Sequence, residues 1–267
     1  YEEEIRIGMI GNVDAGKSTT VSVLSSGILD DGRGRARESV LQHKHEQESG
    51  RTSSITPKYM RFSQSKYITF IDLAGHENYL KTTIFGMTGY YLDYVIVVVG
   101  ANMGMKGMTE EHLILAMALK IPIIVLITKL DLAPRDITVK TTTEVIRFIR
   151  KQKMLQSDYK IIKQSSDLYN DFDILNTIPI IGISNKTGRN VDILKDYIVS
   201  LPPKHNWHLD TIHTDDPILN IDSVYTKVAG TGIVLTGKML KGRLFKNQRL
   251  FLGPINNDWI EVRIQTF

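Results

Sequence analysis

Gly11-Asn12-Val13-Asp14-Ala15-Gly16-Lys17-Ser18 lies between an apolar, β-branched run, Ile5–Ile10, and a segment of helical period that begins at Lys17. The octapeptide fits G-x-x-x-x-G-K-[ST], a pattern that requires a strand, a tight loop and a helix in that order, and no other feature of the chain restricts its fold as much. The glycines let the backbone wrap closely. The N–H groups of Asp14, Ala15, Gly16, Lys17, Ser18 and Thr19 then face an anion at a helix N-terminus. Lys17 adds positive charge at the β- and γ-phosphates, and the Ser18 hydroxyl is offered to Mg²⁺. Ordinary usage of Gly, Lys and Ser/Thr makes a chance match in a chain of this length an event of about 1%.

The pattern around the loop extends the same logic. From Ile5 to about Leu201, Ile- and Val-rich runs alternate with helical segments, as in βαβ units around a parallel sheet. The spacing predicts strands over Ile5–Ile10, Tyr67–Asp72, Asp93–Val99, Pro122–Thr128 and Pro179–Ile183, and continuous apolar character predicts burial on both faces. It predicts helices over Lys17–Leu29, Glu77–Gly89, Thr109–Lys120, Thr138–Leu155 and Val191–Leu201, with Thr109 as a hydroxyl cap ahead of Glu110 and Glu111. The polar stretch between Lys151 and Asn176 reads as an insertion. Pro202-Pro203 and the polar run to Asp216 read as a linker.

Beyond the linker the grammar changes. Ile218–Thr226, Ile233–Met239, Arg249–Leu252 and Trp259–Ile264 are separated by turn residues, an antiparallel β pattern. Four strands in about 50 residues are few for a closed barrel, so the expectation is a β domain cut by the chain end. The organisation expected is therefore an α/β nucleotide-binding domain over 1–203, a linker over 204–216 and the start of a β-barrel over 217–267.

Three further motifs close the predicted strands. Asp72-Leu73-Ala74-Gly75-His76 follows the second; Asp72 is placed to hold Mg²⁺ through water, and the Gly75 N–H to bond a γ-phosphate and release it on hydrolysis. Thr128-Lys129-Leu130-Asp131 follows the fourth. The Asp131 carboxylate can accept from both N1–H and the 2-amino group of guanine, a bidentate match that adenine lacks, while the Lys129 stem lies along the base plane. Ser184-Asn185-Lys186 follows the fifth and supplies turn N–H groups for guanine O6. Each short motif alone is an ordinary turn. Their order is what carries weight: successive motifs stand ~55 residues apart, about one βαβ excursion, each at the carboxyl end of a strand where open α/β sheets bind ligands.

With these residues in place, the chain resembles the translational GTPase superfamily. Within it the chain is similar to the GTP-binding protein 1 and 2 group, related to elongation factors Tu and 1-alpha. The marks are the Gly11–Ser18 loop, the run Asp72–Thr83, the run Gly32–Ser54 and Gly230–Gly237, which is similar to the opening of elongation-factor domain II. The resemblance implies a P-loop NTPase G domain followed by an incomplete antiparallel β-barrel, GTP/GDP and Mg²⁺ as ligands, and Mg²⁺-dependent hydrolysis of GTP to GDP and phosphate. It implies that Thr52 closes over Mg²⁺ beside Ser18 and Asp72, with Ser53 and Ser54 as alternatives, that Asp14 helps hold a monovalent cation, and that His76 orients the attacking water. His76, Lys17 and Gly75 are then the catalytic set. Two departures stand out. Thr128 replaces the usual Asn, a change expected to loosen loop contacts around the base, and Ala74 replaces a common Pro, removing a backbone constraint before Gly75. No residue is marked as an arginine finger in cis, so slow intrinsic hydrolysis accelerated by a partner is expected.

Composition narrows what remains. There is no cysteine among the 267 residues, which excludes disulfides, thiolate metal sites and cysteine nucleophiles. No apolar run approaches the ~18 residues that cross a bilayer. The chain begins at Tyr1 and reads as a trimmed piece. A net charge of +4 permits an RNA-rich partner. Arg33, Arg35, Arg37, Lys44 and Arg51 read as a solvated face or as an RNA contact, His205, His208 and His213 as solvated imidazoles, and Met103, Met105 and Met108 as core fillers. The expected protein is a cytoplasmic monomeric switch acting with the ribosome and aminoacyl-tRNA, served by a nucleotide-exchange factor. The alternatives are a regulatory GTPase of a metabolic enzyme of the ATP-sulfurylase type, and a nucleotide-binding scaffold with little hydrolysis.

Overall fold

The computed structural model describes residues 3–32, 36, 55–61, 66–152, 158–168, 176–203, 217–228 and 232–266. The chain divides into two compact units, Tyr1–Lys204 and His205–Phe267. The first is built on a seven-stranded sheet in the order β2-β3-β1-β4-β5-β7-β6. Its strands are β1 (Glu3–Gly11), β2 (Thr56–Arg61), β3 (Lys66–Asp72), β4 (Tyr94–Gly100), β5 (Ile123–Thr128), β6 (Asp158–Ile162) and β7 (Thr177–Gly182). Only the edge pair β2–β3 is antiparallel; β1 lies parallel to β3 and β4, and β5 parallel to β4 and β7. Adjacent β1 and β4 are not consecutive β strands in the chain, and such a switch in strand order marks the carboxyl edge where open α/β sheets bind ligands.

Among the described residues, five α-helices cover the sheet: α1 (Lys17–Ser26), α2 (Leu80–Gly89), α3 (Gly107–Ala118), α4 (Arg135–Lys151) and α5 (Val191–Ser200). Side chains of a strand alternate between its faces, and the core divides accordingly. Ile96 and Val98 of β4 pack with Leu24 of α1 and Leu194 and Ile198 of α5. Val95, Val97 and Val99 pack on the other face with Met87 of α2, Leu113 of α3 and Val145 and Ile149 of α4. Both faces of the central strands are therefore buried, which is why they read as unbroken apolar runs.

The element ends differ from the sequence reading for local reasons. Helix α1 stops at Ser26 because Gly27 turns left-handed (φ 71°) and returns its N–H to Val23 O. Helix α4 starts at Arg135, behind Pro134 and with Asp136 in its first turn, three residues before the expected start at Thr138. Thr109 does not cap α3: the helix begins at Gly107 after the extended residue Lys106, and Thr109 is buried in its first turn. Glu77–Tyr79 form a 3-10 turn ahead of α2. The supposed insertion between Lys151 and Asn176 contains β6, parallel to β7 at the sheet edge. Its polar, half-exposed residues hide a strand whose outer side has no neighbour to bury it.

In the second unit, β8 (Ile218–Val228) pairs antiparallel with β9 (Gly232–Lys241), and β10 (Arg249–Ile255) with β11 (Asp258–Arg263). Asn256 and Asn257 carry the β10–β11 turn with φ of 52° and 70°, the left-handed pair that a tight hairpin requires. The linker residues 204–216, with His205, His208 and His213, lie outside the described residues.

Candidate functional site

The loop between β1 and α1 is set by backbone conformation. Gly11 (φ 133°), Asp14 (φ 59°) and Gly16 (φ 99°) have positive φ, which turns the intervening amides toward one concave side. Gly16 caps α1 without a side-chain bond, no acidic residue occupies the first turn, and the helix starts with Thr20 N–H donating to Gly16 O at 2.9 Å. A helix start of this kind attracts an anion. Ala15 precedes the cap, and Lys17, Ser18 and Thr19 open the helix.

Lys17 is the charge at the centre of the loop. Its ammonium donates to Gly11 O at 3.1 Å and Asn12 O at 2.9 Å, which leaves a third proton for another acceptor. Burial pushes its pKa below the ordinary lysine value, against the raising influence of Asp72 and Asp14. An added phosphate charge would act in the same direction as those carboxylates. The hydroxyl of Ser18 donates to Asp72 Oδ2 at 2.6 Å, so the first helical turn and the end of β3 meet through two oxygen-bearing side chains.

Gly75 lies directly against the loop. A Cβ there would overlap Lys17 Nζ, stand 2.5 Å from Gly11 O and 2.9 Å from the Asn12 carbonyl carbon, so only glycine allows this approach. Ala74 is held despite lacking a proline ring: its carbonyl accepts from Thr83 Oγ1 at 2.8 Å. His76 accepts from the Asn78 N–H at Nδ1 (3.2 Å) and packs edge-on to Tyr79, with ring centroids 6.1 Å apart. In the neutral ring this bond places the proton on Nε2. Thr52 lies outside the described residues, as do Ser53, Ser54 and the basic residues Arg33, Arg35, Arg37, Lys44 and Arg51.

Strand β5 delivers the second half. Thr128 is fully buried, and its hydroxyl donates to Ala15 O at 2.5 Å. The threonine thus ties the end of β5 to the Gly11–Ser18 loop. Lys129 is left-handed (φ 60°), and Leu130 N–H donates to Ile183 O at 3.3 Å. Asp131 Oδ1 accepts from Ser184 Oγ at 2.5 Å, and Ser184 Oγ in turn accepts from the Thr187 N–H at 3.1 Å. Asn185 does more than provide backbone N–H: its side chain donates to Thr20 Oγ1 at 2.9 Å and its carbonyl accepts from Asp30 N–H at 3.0 Å. The aliphatic end of Lys186 lies beside Gly32. The three segments after β1, β5 and β7 are thus joined by direct hydrogen bonds.

One residue escaped the sequence reading. His112 of α3 is fully buried, and its Nδ1 accepts from the Gly11 N–H at 3.3 Å. Its Nε2 has no hydrogen-bond partner among the described residues. Burial, helped by the Lys17 charge, lowers its pKa to about 4, so the ring is neutral near pH 7. In sequence it is a lone histidine beside Leu113 on a buried helix face, with no spacing that relates it to Gly11 a hundred residues earlier. Only the sheet order, which puts α3 beside the end of β1, could have exposed it.

Residues 2–204 match the model of the elongation factor Tu GTP-binding domain. The chain is 39% identical to GTP-binding protein 1 of Xenopus laevis, over 94% of this chain and 42% of that protein. It is 36% identical to GTP-binding protein 2 of Homo sapiens, over 98% of this chain and 47% of that protein. The chain therefore spans less than half the length of these curated relatives. A crystal structure of bacterial selenocysteine-specific elongation factor EF-Sec superposes with a TM-score of 0.72 at 26% identity, over 98% of this chain and 38% of that one.

Proposed function

The chain belongs to the translational GTPase family defined by the elongation factor Tu GTP-binding domain, and from that membership we propose that its first unit is a guanine-nucleotide switch that hydrolyses GTP to GDP and phosphate. The observation that carries the proposal is the linkage of Gly11–Ser18, Asp72–Gly75, Thr128–Asp131 and Ser184–Lys186 at the carboxyl edge of one sheet. The amides of Asp14 to Thr19 and the ammonium of Lys17 hold the phosphates. Asp131 and the Ser184–Lys186 turn hold the guanine edge, with Lys129 along its plane and Thr128 behind it.

Hydrolysis requires water to attack the γ-phosphorus while the bond to the β–γ bridging oxygen breaks. Lys17 neutralises charge that develops on the β- and γ-oxygens, the Gly75 N–H marks the γ-phosphate, and Nε2 of His76 orients the water. Mg²⁺ suits the donor set: hydroxyl and carboxylate oxygens of Ser18 and Asp72 are hard ligands, and Mg²⁺ takes few protein groups while keeping waters and phosphate oxygens. Bound there, it would neutralise charge on the phosphates. Asp72 would hold it through water and Thr52 would complete its set, while Asp14 would serve a monovalent cation. Likeness to a selenocysteine-specific elongation factor and to GTP-binding proteins 1 and 2 supports action at the ribosome with aminoacyl-tRNA, in the cytoplasm and with partner-stimulated turnover. No described helix is long and apolar enough to cross a membrane.

The decisive experiment compares GTP, ATP and XTP binding to the chain and to Asp131→Asn. We expect GTP to lead by about a hundredfold or more in the parent, and XTP to gain at the expense of GTP in the variant, because XTP carries an acceptor where GTP has its 2-amino donor. Equal affinity for GTP and ATP overturns the reading. Stimulation of GTP turnover by ribosomes tests the site of action, and unchanged turnover in their presence removes it.

A further inference from the structure

Thr128 stands where the two halves of the site meet. Its hydroxyl donates to Ala15 O at 2.5 Å, its other nearby acceptor is Val99 O at 3.4 Å, and its Oγ1 lies 3.5 Å from the position a Gly16 Cβ would take. A threonine hydroxyl has one proton. With that proton on a backbone carbonyl, Oγ1 offers only lone pairs to anything else that approaches.

The covalent order of a nucleotide fixes which part of the base comes near. The imidazole ring carries N9, and through it the ribose and phosphates, whereas N1 and the 2-amino group lie on the opposite edge. With the pyrimidine edge on Asp131 and the phosphates at Gly11–Ser18, the imidazole ring crosses the end of β5, the point Thr128 ties to Ala15. Its N7 is an acceptor without a proton. Two acceptors cannot bond. Among the described side chains nearby, Ser184 gives its single proton to Asp131, and the Asn185 amide is directed at Thr20 Oγ1 of α1.

We infer that this site does not read N7, and that guanine is selected by its pyrimidine edge and O6 alone, so that replacing N7 by C–H costs no affinity. The inference rests on the guanine-nucleotide reading above. An asparagine at this position would carry two amide protons, enough for Ala15 O and N7 together; the threonine keeps the brace and gives up the reading.

The test is competition of GTP, 7-deaza-GTP and ATP against a fluorescent GDP on the full chain. Expected are GTP and 7-deaza-GTP within about threefold of each other and ATP far weaker; for Thr128→Asn, a new preference for GTP over 7-deaza-GTP of about three- to tenfold, the worth of one hydrogen bond. A parent chain that prefers GTP over 7-deaza-GTP by about tenfold overturns the inference while leaving the guanine reading intact. ATP binding as tightly as GTP overturns both. Should Thr128→Asn fold and bind GTP yet hold both analogues equally, Thr128 is not the determinant and the inference fails; should it not fold, the comparison in the parent chain still decides.

Discussion

The Gly11–Ser18 half and the Asp131 half of the candidate site, proposed above to take the phosphates and the base, are held in opposite ways. Around Gly11–Ser18 the groups are under electrostatic load: a buried ammonium with its pKa pushed down, and a buried imidazole kept neutral by burial and by that same charge. Around Asp131 hydrogen bonds join Ser184 to Asp131, Thr187 to Ser184 and the Asn185 amide to Thr20, although Asn185 Oδ1 is buried with no partner among the described residues. A desolvated cation gains most from an incoming anion. A prepaired carboxylate gains little from any ligand until the donor pattern fits it. On the guanine-nucleotide reading proposed above, the comparison predicts a division of labour: affinity concentrates at the phosphates, and choice between bases at the ring.

The largest effect that can break this division is at Lys17. Lys17→Ala should weaken GTP by about a hundredfold, the upper range for hydrogen bonds to charged groups, with GDP weakened less because one phosphate is absent. The ratio of GTP to XTP affinity should stay where it is in the parent. Titration calorimetry with the three nucleotides checks this, and a variant that loses base preference along with affinity would show the halves to be one.

A second, smaller effect concerns pH. His112 has a folded-state pKa of about 4 against an ordinary value of 6.5. A group whose folded pKa is depressed this way binds more protons when unfolded, so stability rises with pH through that window and falls as pH drops from 6.5 toward 4. For the nucleotide-free chain this group costs about 2 kcal/mol between pH 7 and pH 5. Urea melts at both pH values should show the drop in the parent and a flatter profile in His112→Phe. Equal slopes in the two proteins would mean that the imidazole titrates normally and carries no load.

The legible parts of the molecule were those that repeat along the chain. Buried strands β4, β5 and β7 are nearly continuous apolar runs because both faces are covered, β1 and β3 are broken only by the buried Arg6 and Thr69 within their cores, and each candidate motif follows such a run. The edge strands β2 and β6 were missed for the converse reason: with one neighbour each and polar, half-exposed side chains, they lack the signal that burial writes into composition. At the site, the loop residues and Asp131 could be read because local spacing defines them. The Thr128 brace, the Asn185–Thr20 bond and His112 could not, because each joins segments far apart in sequence. Thr128 stands out in the sequence only as a departure from the usual Asn; that its hydroxyl ties β5 to Ala15 is visible only in the fold.

The smallest prediction sharpens the base half. Ser184 Oγ donates to Asp131 Oδ1 and accepts from Thr187 N–H, so it fixes both the carboxylate and the turn behind it. Each carboxylate oxygen has two lone pairs, and Oδ1 can accept from Ser184 and from guanine together. Ser184→Ala therefore removes an orienting contact and no ligand contact from Asp131. GTP and GDP affinity should fall together, by about fivefold, because the variant loses the carboxylate's orientation but no contact with the ligand, and both nucleotides carry the same base. Lys17→Ala, by contrast, separates the two nucleotides. If Ser184→Ala affects GTP more than GDP, the base half senses the γ-phosphate, and the serine belongs to the switch as well as to the base pocket.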